Sequence, residues 1–217
     1  MELKLYYNPI SSYSQKTLMG LYEKEVSFTP IVVNLMDPVA RQEYLAVNPW
    51  GKVPTMICVD EDRTLPESSI ILEFIDQRFS TGSKLFPNDP DQCRRARLFD
   101  RMSDFYLNDP TVTIFLDQIR PPEAKNPAAV ARAKQTLETS VRVMNEHYAT
   151  RTWALGEEFS IADVSAAPAL FYMQQVYPFA DFPHLVAYAQ RVIGRPSYQK
   201  VLSEALPVLQ QMAQKRN

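Results

Sequence analysis

One stretch of the chain, residues 48–75, limits most strongly what the chain can fold into. Within it, the sequence K-V-P-T at 52–55 runs directly into a short apolar segment at 56–59. Because proline has no N–H to donate to a neighbouring strand, Pro54 does not fit inside a central strand. The pattern therefore predicts either the start of an edge strand at Pro54 or a cis bond that exposes the Val53 backbone to a ligand. A plain loop stop is the alternative.

The same stretch then becomes helical. Apolar residues at 70, 71, 74 and 75 lie on one face of a helix, and Ser68 or Ser69 is placed to cap its N-terminus. The free N–H groups of a helix N-terminus suit a carboxylate ligand, whereas the neighbouring Glu67 carboxylate suits an ammonium group. Together these groups predict a site for an α-amino acid. A capped helix with an acidic first turn is the alternative interpretation.

The two segments, N-P-W-G-K-V-P-T and L-P-E-S-S-I-I-L-E-F-I-D, resemble the glutathione-binding half of cytosolic glutathione S-transferases, and the chain is identified as a bacterial member of that family. The resemblance implies that the backbone of Val53 pairs with the cysteinyl part of glutathione. It implies that Glu67 and Ser68 hold the γ-glutamyl end and that Lys52 also contacts glutathione. Arg41 lies where some relatives place a basic residue for the glycyl carboxylate. The resemblance implies no cofactor, since glutathione is a co-substrate.

The glutathione thiol must lose its proton before it can act as a nucleophile. A free thiol has a pKa of about 8.5, and lowering it by roughly two units requires about 2.7 kcal/mol. A hydroxyl that donates to the sulfur and the N-terminus of the first helix are the available sources. The S-x-x-Q pattern at 12–15 predicts a capping box with Ser12 as the N-cap, which leaves Ser11 outside the helix. P-I-S-S-Y-S-Q-K also resembles the serine-type enzymes, whose first serine is the donor, so Ser11 is predicted as catalytic, with Tyr7 and Ser12 as alternatives.

The second substrate is expected to be a small apolar electrophile. Ile10, Tyr106 and Phe115 are predicted to line its pocket, although an aromatic residue on a helix is more commonly part of the core. Segment 9–16 lacks a cysteine, and the chain lacks a C-x-x-C motif. The thiol exchange of cysteine-type relatives and the chemistry of a dithiol oxidoreductase are therefore not expected, whereas peroxidase and dehalogenase variants of the transferase stay open.

The signals for secondary structure divide the chain into two parts. Strands are predicted at 3–7, 26–33 and 53–59, with a short fourth strand after a turn at 61–64, and helices start at Ser12 and Ser68. The order β-α-β-α-β-β-α over residues 1–79 is typical of a thioredoxin-like α/β domain. Residues 80–90 are rich in serine, glycine, asparagine and proline and read as a linker. Residues 91–217 are predicted to form an all-helical domain.

The second part contains clear helix signals. A helix over 91–120 is expected to break or kink at Pro110, and another is expected over 126–149. Ser160 and Asp163 form a predicted capping box for a helix that contains Pro168. The segments G-E-E-F-S-I-A-D-V and R-P-S-Y resemble the helical domain of the same transferases, which implies a folding role for this box rather than a catalytic one.

Composition excludes several classes of function. The net charge of −2 provides no electrostatic surface for nucleic acid. No apolar run has the length of a membrane span, and the N-terminus is too short and too polar for a signal peptide. Cys58 and Cys93 do not form a disulfide framework, which is typical of a reduced, cytoplasmic protein. His147 and His184 show no spacing that indicates a metal site.

A second family resemblance points to a different class of function. E-K-x-V-S-F after the first helix and E-S-x-I-I-x-E-F-I-D-x-R-F also resemble the stringent starvation protein A group, which binds RNA polymerase and is not a transferase. Those proteins lack a serine matching Ser11, so a transferase of the detoxifying type is favoured over a catalytically silent binding protein. The transferase resemblance further implies a homodimer.

Overall fold

The computed structural model describes residues 1–214 of the chain. These residues pack into two compact units, one formed by Met1–Leu85 together with the C-terminal helix and the other by Phe86–Arg195. The junction between the units falls inside the segment that the sequence predicts as a linker. The packing units differ from the predicted domains, whose limits (1–79, 80–90 and 91–217) stay a prediction.

The first unit contains a mixed four-stranded sheet. Its strands are β1 (Leu3–Tyr7), β2 (Thr29–Val32), β3 (Thr55–Cys58) and β4 (Arg63–Pro66), in the spatial order β2-β1-β3-β4. Strand β1 runs parallel to β2 and antiparallel to β3, which pairs antiparallel with β4. The helices of this part are α1 (Ser12–Glu23), α2 (Pro38–Tyr44), α3 (Ser68–Arg78) and α9 (Pro196–Gln214). Up to α3, the element order confirms the predicted thioredoxin-like α/β domain.

Strand β2 is shorter than its predicted range of 26–33. The N–H of Val26 donates to the carbonyl of Leu21 at 3.0 Å, so the chain is still completing the end of α1 at that point. The extended part starts only at Thr29. Pro30 is tolerated within β2 because this strand lies at the edge of the sheet and pairs only with β1.

The first half of the predicted linker is fastened to the end of α1. The buried ammonium of Lys24 lies 3.1 Å from the buried carboxylate of Asp76, which also accepts from the N–H of Leu85 at 2.9 Å. Gly82 has a φ of 61°, and a Cβ at this position would lie 2.1 Å from the carbonyl oxygen of Glu23. Only glycine allows this close approach of the two backbones.

The second unit is helical. Its elements are α4 (Pro90–Met102), a π-helical segment (Ser103–Asn108), α5 (Asp109–Ile119), α6 (Pro127–Tyr148), α7 (Ile161–Val176) and α8 (Pro183–Ile193). The helix break or kink that we predicted at Pro110 takes the form of the π-helical segment in the turn before this proline. Pro110 has no N–H for the carbonyl of Tyr106, and that carbonyl accepts from the Ser140 hydroxyl at 2.9 Å. A side chain of α6 thus satisfies the group that proline leaves without a helical partner.

The predicted capping box at the start of α7 is confirmed. The Ser160 hydroxyl accepts from the first turn, while the Asp163 carboxylate accepts from the N–H of Ser160 at 2.9 Å. Asp163 is completely buried and also accepts from the N–H of Ala154 and the hydroxyl of Tyr188, both at 2.8 Å. Burial raises the pKa of Asp163 to about 6, and these hydrogen bonds act in the opposite direction.

His147 makes the stability of this unit sensitive to acid. Its Nε2 lies 2.8 Å from the carbonyl oxygen of Ala154, and its ring packs 4.5 Å from the ring of Phe99. Burial lowers the pKa of His147 below its ordinary value of 6.5. A lowered folded-state pKa means that the contribution of this group is complete above pH 6.5 and is lost as the pH falls below that value.

The raised pKa of Asp163 acts in the opposite direction, because it adds stability as the pH falls below about 6, and it does so in the parent and in a His147 variant alike. We therefore expect the free energy of unfolding between pH 7.5 and pH 5 to shift less toward instability in His147→Gln than in the parent. Glutamine keeps a donor for the Ala154 carbonyl but does not titrate. Urea denaturation at several pH values measures the effect, and His184→Gln is the control because His184 is exposed. Equal pH slopes for the parent and His147→Gln would contradict this account.

Candidate functional site

Strand register brings the predicted glutathione residues to one end of the sheet. Tyr6 is the partner of Thr55, and Thr55 is the partner of Pro66, so these three residues lie side by side on β1, β3 and β4. The segments next to them are the loop 8–11 after β1, the residues before β3 and the start of α3. Neighbouring strands are about 4.8 Å apart, so the three strands span roughly 10 Å. An extended tripeptide has a length of about 10 Å.

Ser11 is the N-cap of helix α1, and this corrects the predicted role of Ser12. The Ser11 hydroxyl accepts from the N–H of Ser14 at 3.3 Å, and Ser12 is the first helical residue. The predicted Ser12–Gln15 capping box is wrong because the side chain of Gln15 is used elsewhere. A capping hydroxyl accepts with its oxygen, so the hydroxyl proton of Ser11 stays available for a ligand.

The loop before Ser11 is held by side chains from both ends of the chain. The amide of Gln15 donates to the carbonyl of Pro9 at 2.9 Å and accepts from the hydroxyl of Tyr198 on α9 at 2.8 Å. Asn8 donates to the carbonyl of Val33 at 2.9 Å. These buried contacts fix the backbone that presents Ser11.

Tyr7, the main alternative to Ser11, is engaged by the C-terminal helix. Its hydroxyl donates to the Glu204 carboxylate at 3.3 Å, and the hydroxyl of Tyr22 donates to the same carboxylate. Burial, followed by the negative charge of Glu204, raises the pKa of Tyr7 above its ordinary value. The Tyr7 proton is therefore already used within the first unit and is harder to remove than that of a free tyrosine.

Of the alternatives for Pro54, the structure has the cis bond between Val53 and Pro54. An edge strand does not start there, because β3 begins at Thr55 and pairs with strands on both sides. Within residues 1–214, neither the N–H nor the carbonyl of Val53 makes a hydrogen bond to another group. The backbone of Val53 is thus free to pair with a ligand.

Helix α3 begins at Ser68, as predicted, but its cap differs from the prediction. Its N-cap is Glu67, not Ser68 or Ser69, and the Glu67 side chain makes no capping hydrogen bond. Glu67 has a φ of 71°, a conformation that costs a non-glycine residue about 1–3 kcal/mol and that is concentrated at functional sites. The Glu67 side chain therefore does not cap the first turn of α3, and the N-terminus of this helix suits an anionic ligand.

The basic residues that were predicted to contact glutathione lie near the loop 48–53. Lys52 is exposed and directly precedes Val53. Arg41 is an exposed residue of α2, and a guanidinium nitrogen of its side chain lies 3.9 Å from the position that a Cβ on Gly51 would occupy. The two cations thus belong to the same part of the first unit.

The residues predicted for the second substrate lie in different units. Ile10 lies in the loop before α1, and its N–H donates to the Asn8 side chain at 3.1 Å. Tyr106 is half exposed in the π-helical segment, and Phe115 lies on α5 with intermediate exposure. Their joint role in binding an electrophile stays a prediction.

A polar network behind Val53 was not predicted from the sequence. Tyr44 and Asn48 both donate to the carbonyl of Lys52, at 2.7 and 2.9 Å, and both contact the Thr55 hydroxyl. The N-P-W-G turn at 48–51 marks Asn48, whose side chain accepts from the N–H of Trp50 at 3.1 Å. Tyr44 carries no comparable local signal.

Residues 1–214 contain neither a cluster of metal-ligating side chains nor a helix suited to spanning a membrane. No three His, Cys, Asp or Glu side chains in this range lie close enough together to hold a metal ion. No helix in the same range is both long and apolar enough to cross a membrane.

Comparison with known proteins identifies the family. The family model described as the N-terminal domain of glutathione S-transferase matches residues 5–83, and the model of the C-terminal domain matches residues 127–191. The chain belongs to the glutathione S-transferase family. Its membership confirms the predicted fold class and the prediction that this transferase-family chain is an enzyme.

The similarity to individual relatives covers nearly the whole length of this chain. Glutathione S-transferase 3 of Zea mays is 29% identical over 95% of this chain and 95% of its own. The crystal structure of a glutathione S-transferase from Methylobacillus flagellatus with glutathione bound is 25% identical, with a TM-score of 0.84 over 92% of this chain and 98% of that one. The stringent starvation protein A homolog of Pasteurella multocida is 28% identical over 94% and 92%. The second predicted function thus has a relative among the sequences, whereas the transferase function has relatives among both the sequences and the solved structures.

Proposed function

We propose that this chain conjugates the glutathione thiolate to a small apolar electrophile. The observation that carries the proposal is a row of groups along one end of the sheet that are placed to bind a ligand. They are the capping Ser11 with its free proton, the unpaired backbone of Val53 and the N-terminus of α3, where Glu67 makes no capping bond. The Methylobacillus flagellatus relative, which has glutathione bound, supports the same ligand.

In the proposed arrangement, the γ-glutamyl end of glutathione lies at the start of α3 and the glycyl end lies beside the loop 48–53. The γ-glutamyl carboxylate accepts from the first N–H groups of α3 and from Ser68, while the ammonium group lies against the Glu67 carboxylate. The cysteinyl part pairs with the backbone of Val53. Lys52 and Arg41 supply positive charge for the glycyl carboxylate.

The proposed chemistry needs only the stabilisation of a thiolate. The thiol proton leaves to solvent, and the Ser11 hydroxyl donates to the resulting sulfur anion beside the N-terminus of α1. The sulfur then forms a bond to the electrophilic carbon, and the leaving group departs with its electron pair. Ile10, Tyr106 and Phe115 are proposed to contact the electrophile.

A test of glutathione binding separates this proposal from the alternative of a catalytically silent protein that interacts with RNA polymerase. Isothermal titration calorimetry of the full chain with glutathione is expected to show saturable binding, and the chain is expected to be retained on immobilised glutathione. Absence of binding in both experiments would contradict the transferase proposal and favour the binding protein.

Glu67→Gln is expected to weaken glutathione binding about tenfold, since it removes the negative charge that strengthens the hydrogen bond to the ammonium group, a loss of roughly 1.5 kcal/mol. Calorimetry measures the change. Asp62→Asn is the matched control. Asp62 also has a positive φ, but it directly precedes the start of β4, whereas Glu67 directly follows its end. Equal affinities for the parent and Glu67→Gln would show that the ammonium group lies elsewhere.

We also infer the finer properties that the resemblance implies. These are a serine-type enzyme of bacterial origin, a homodimer, a cytoplasmic location, a role in detoxification and the absence of a cofactor. These properties are supported by the motif resemblance at 48–75 and 9–16. The relatives come from plants as well as bacteria.

A further inference from the structure

We propose that Tyr44 is a positioning residue that aims the N–H of Val53 at the bound tripeptide. The inference rests on the proposed function, because it concerns the same glutathione site. Tyr44 ends helix α2, and its side chain is only 3% exposed. Because the Tyr44 side chain is buried, it acts on the ligand through the backbone of the loop and does not touch the ligand itself.

The hydroxyl of Tyr44 is one member of a closed ring of hydrogen bonds. Tyr44 donates its only proton to the carbonyl of Lys52 at 2.7 Å, so its 2.7 Å contact with the Thr55 hydroxyl must be one that it accepts. The amide of Asn48 has two protons, and it donates to the Lys52 carbonyl and to the Thr55 hydroxyl, both at 2.9 Å. Every donor in the ring is used, and both lone pairs of the Lys52 carbonyl are occupied.

The ring determines which way the next N–H points. Lys52 and Val53 are joined by a trans peptide, since the cis bond of this loop is the following one. In a trans peptide the carbonyl and the N–H lie in one plane and point in opposite directions. Two donors that hold the Lys52 carbonyl on the inner side therefore direct the Val53 N–H away from Tyr44, and this N–H makes no hydrogen bond within residues 1–214.

Packing restrains the same peptide from a second direction. The ring of Tyr44 belongs to a buried cluster with Val33 and Val53, and the ring of Tyr6 packs 5.8 Å away. Burial raises the pKa of Tyr44, so its hydroxyl keeps the proton that the Lys52 carbonyl needs. The side chain thus fixes both the position of Val53 and the orientation of its N–H.

Two isosteric substitutions separate positioning from general stability. Tyr44→Phe removes one donor from the Lys52 carbonyl, whereas Thr55→Val breaks the same ring but leaves both donors to that carbonyl. We expect Tyr44→Phe to weaken binding of S-methylglutathione about fivefold to tenfold, the effect of one net hydrogen bond. We expect Thr55→Val to change it less than about twofold, although both variants should lower the melting temperature. Tyr6→Phe is the control, because the Tyr6 hydroxyl makes no hydrogen bond to the described residues.

Kinetics with an aryl halide provide a second readout. Tyr44→Phe should raise KM for glutathione while kcat at saturation and the pH profile of the rate stay as in the parent. Equal binding by the parent and Tyr44→Phe, or an equal loss in Tyr44→Phe and Thr55→Val, would overturn the proposal. If the parent itself does not bind S-methylglutathione, the proposed function fails instead.

The parent chain offers a test that needs no variant to fold. Amide exchange followed by NMR should show a rapidly exchanging Val53 N–H in the free protein and a protected one after S-methylglutathione is added. A Val53 N–H whose exchange is unchanged by bound ligand would also overturn the proposal.

Discussion

Ser11→Ala is expected to lower kcat by about 10²-fold, with glutathione affinity retained. The expected size is that of removing one hydrogen-bond donor aimed at a developing anion. Since the hydroxyl acts on the sulfur and not on the two ends of the tripeptide, the binding free energy should change little. The acid limb of the pH profile should move toward the pKa of a free thiol, about 8.5.

The second role of Ser11 must be separated from the first. Ser11 also caps α1, and loss of a serine cap to alanine costs about 1 kcal/mol of stability, whereas replacement by glycine costs only a few tenths. Ser11→Gly should therefore be as inactive as Ser11→Ala but more stable. Ser12→Ala and Tyr7→Phe are expected to keep most of the activity. A parent rate in Ser11→Gly would exclude Ser11 as the donor.

Asp163→Ala is expected to destabilise the chain by about 3–5 kcal/mol, because it leaves several buried donors without an acceptor and each costs about 1–3 kcal/mol. These donors are the N–H groups of Ala154 and Ser160 and the hydroxyl of Tyr188. Total stabilities are typically about 5–15 kcal/mol, so the loss is large enough to reduce the yield of folded protein at 37 °C.

Urea denaturation of the Asp163 variant provides the measurement. Ser160→Ala is the matched comparison, since it removes the other half of the capping box and should cost only about 1 kcal/mol. An Asp163→Ala variant that unfolds within about 1 kcal/mol of the parent would show that the buried carboxylate stabilises the start of α7 far less than its contacts indicate.

Local sequence patterns predicted the elements that depend on local chemistry. The alternation over residues 3–7 gave β1, and the S-x-x-D pattern at 160–163 gave the start of α7. In both cases the groups that decide the structure lie within a few residues of each other. At Pro54 the missing N–H left a cis bond as one of several alternatives, and the structure has that bond.

The predictions failed where distant residues decide between local alternatives. Two overlapping patterns compete at the start of α1, because either Ser11 or Ser12 can cap it. In the structure Ser11 is the cap, and the Gln15 side chain, which a box with Ser12 would need, has other partners. Its amide donates to the carbonyl of Pro9 and accepts from the hydroxyl of Tyr198, a residue 183 positions away. The engagement of Tyr7 by Glu204 is likewise invisible in the sequence near either residue.

The cap of α3 was missed for a different reason. A serine near a helix start is the usual cap, whereas here Glu67 takes the cap position with a positive φ and its side chain makes no capping bond. A conformation that is unfavourable for the isolated segment does not follow from average preferences.

The position of the glutathione sulfur tests the central claim most directly. A crystal structure of this chain with glutathione bound is predicted to show the sulfur within about 3.5 Å of the Ser11 hydroxyl oxygen, a hydrogen-bonding distance for sulfur and oxygen. The same structure should show the Val53 backbone paired with the cysteinyl residue. A sulfur that contacts Tyr7 or Ser12 instead, or a tripeptide bound away from this end of the sheet, would contradict the account.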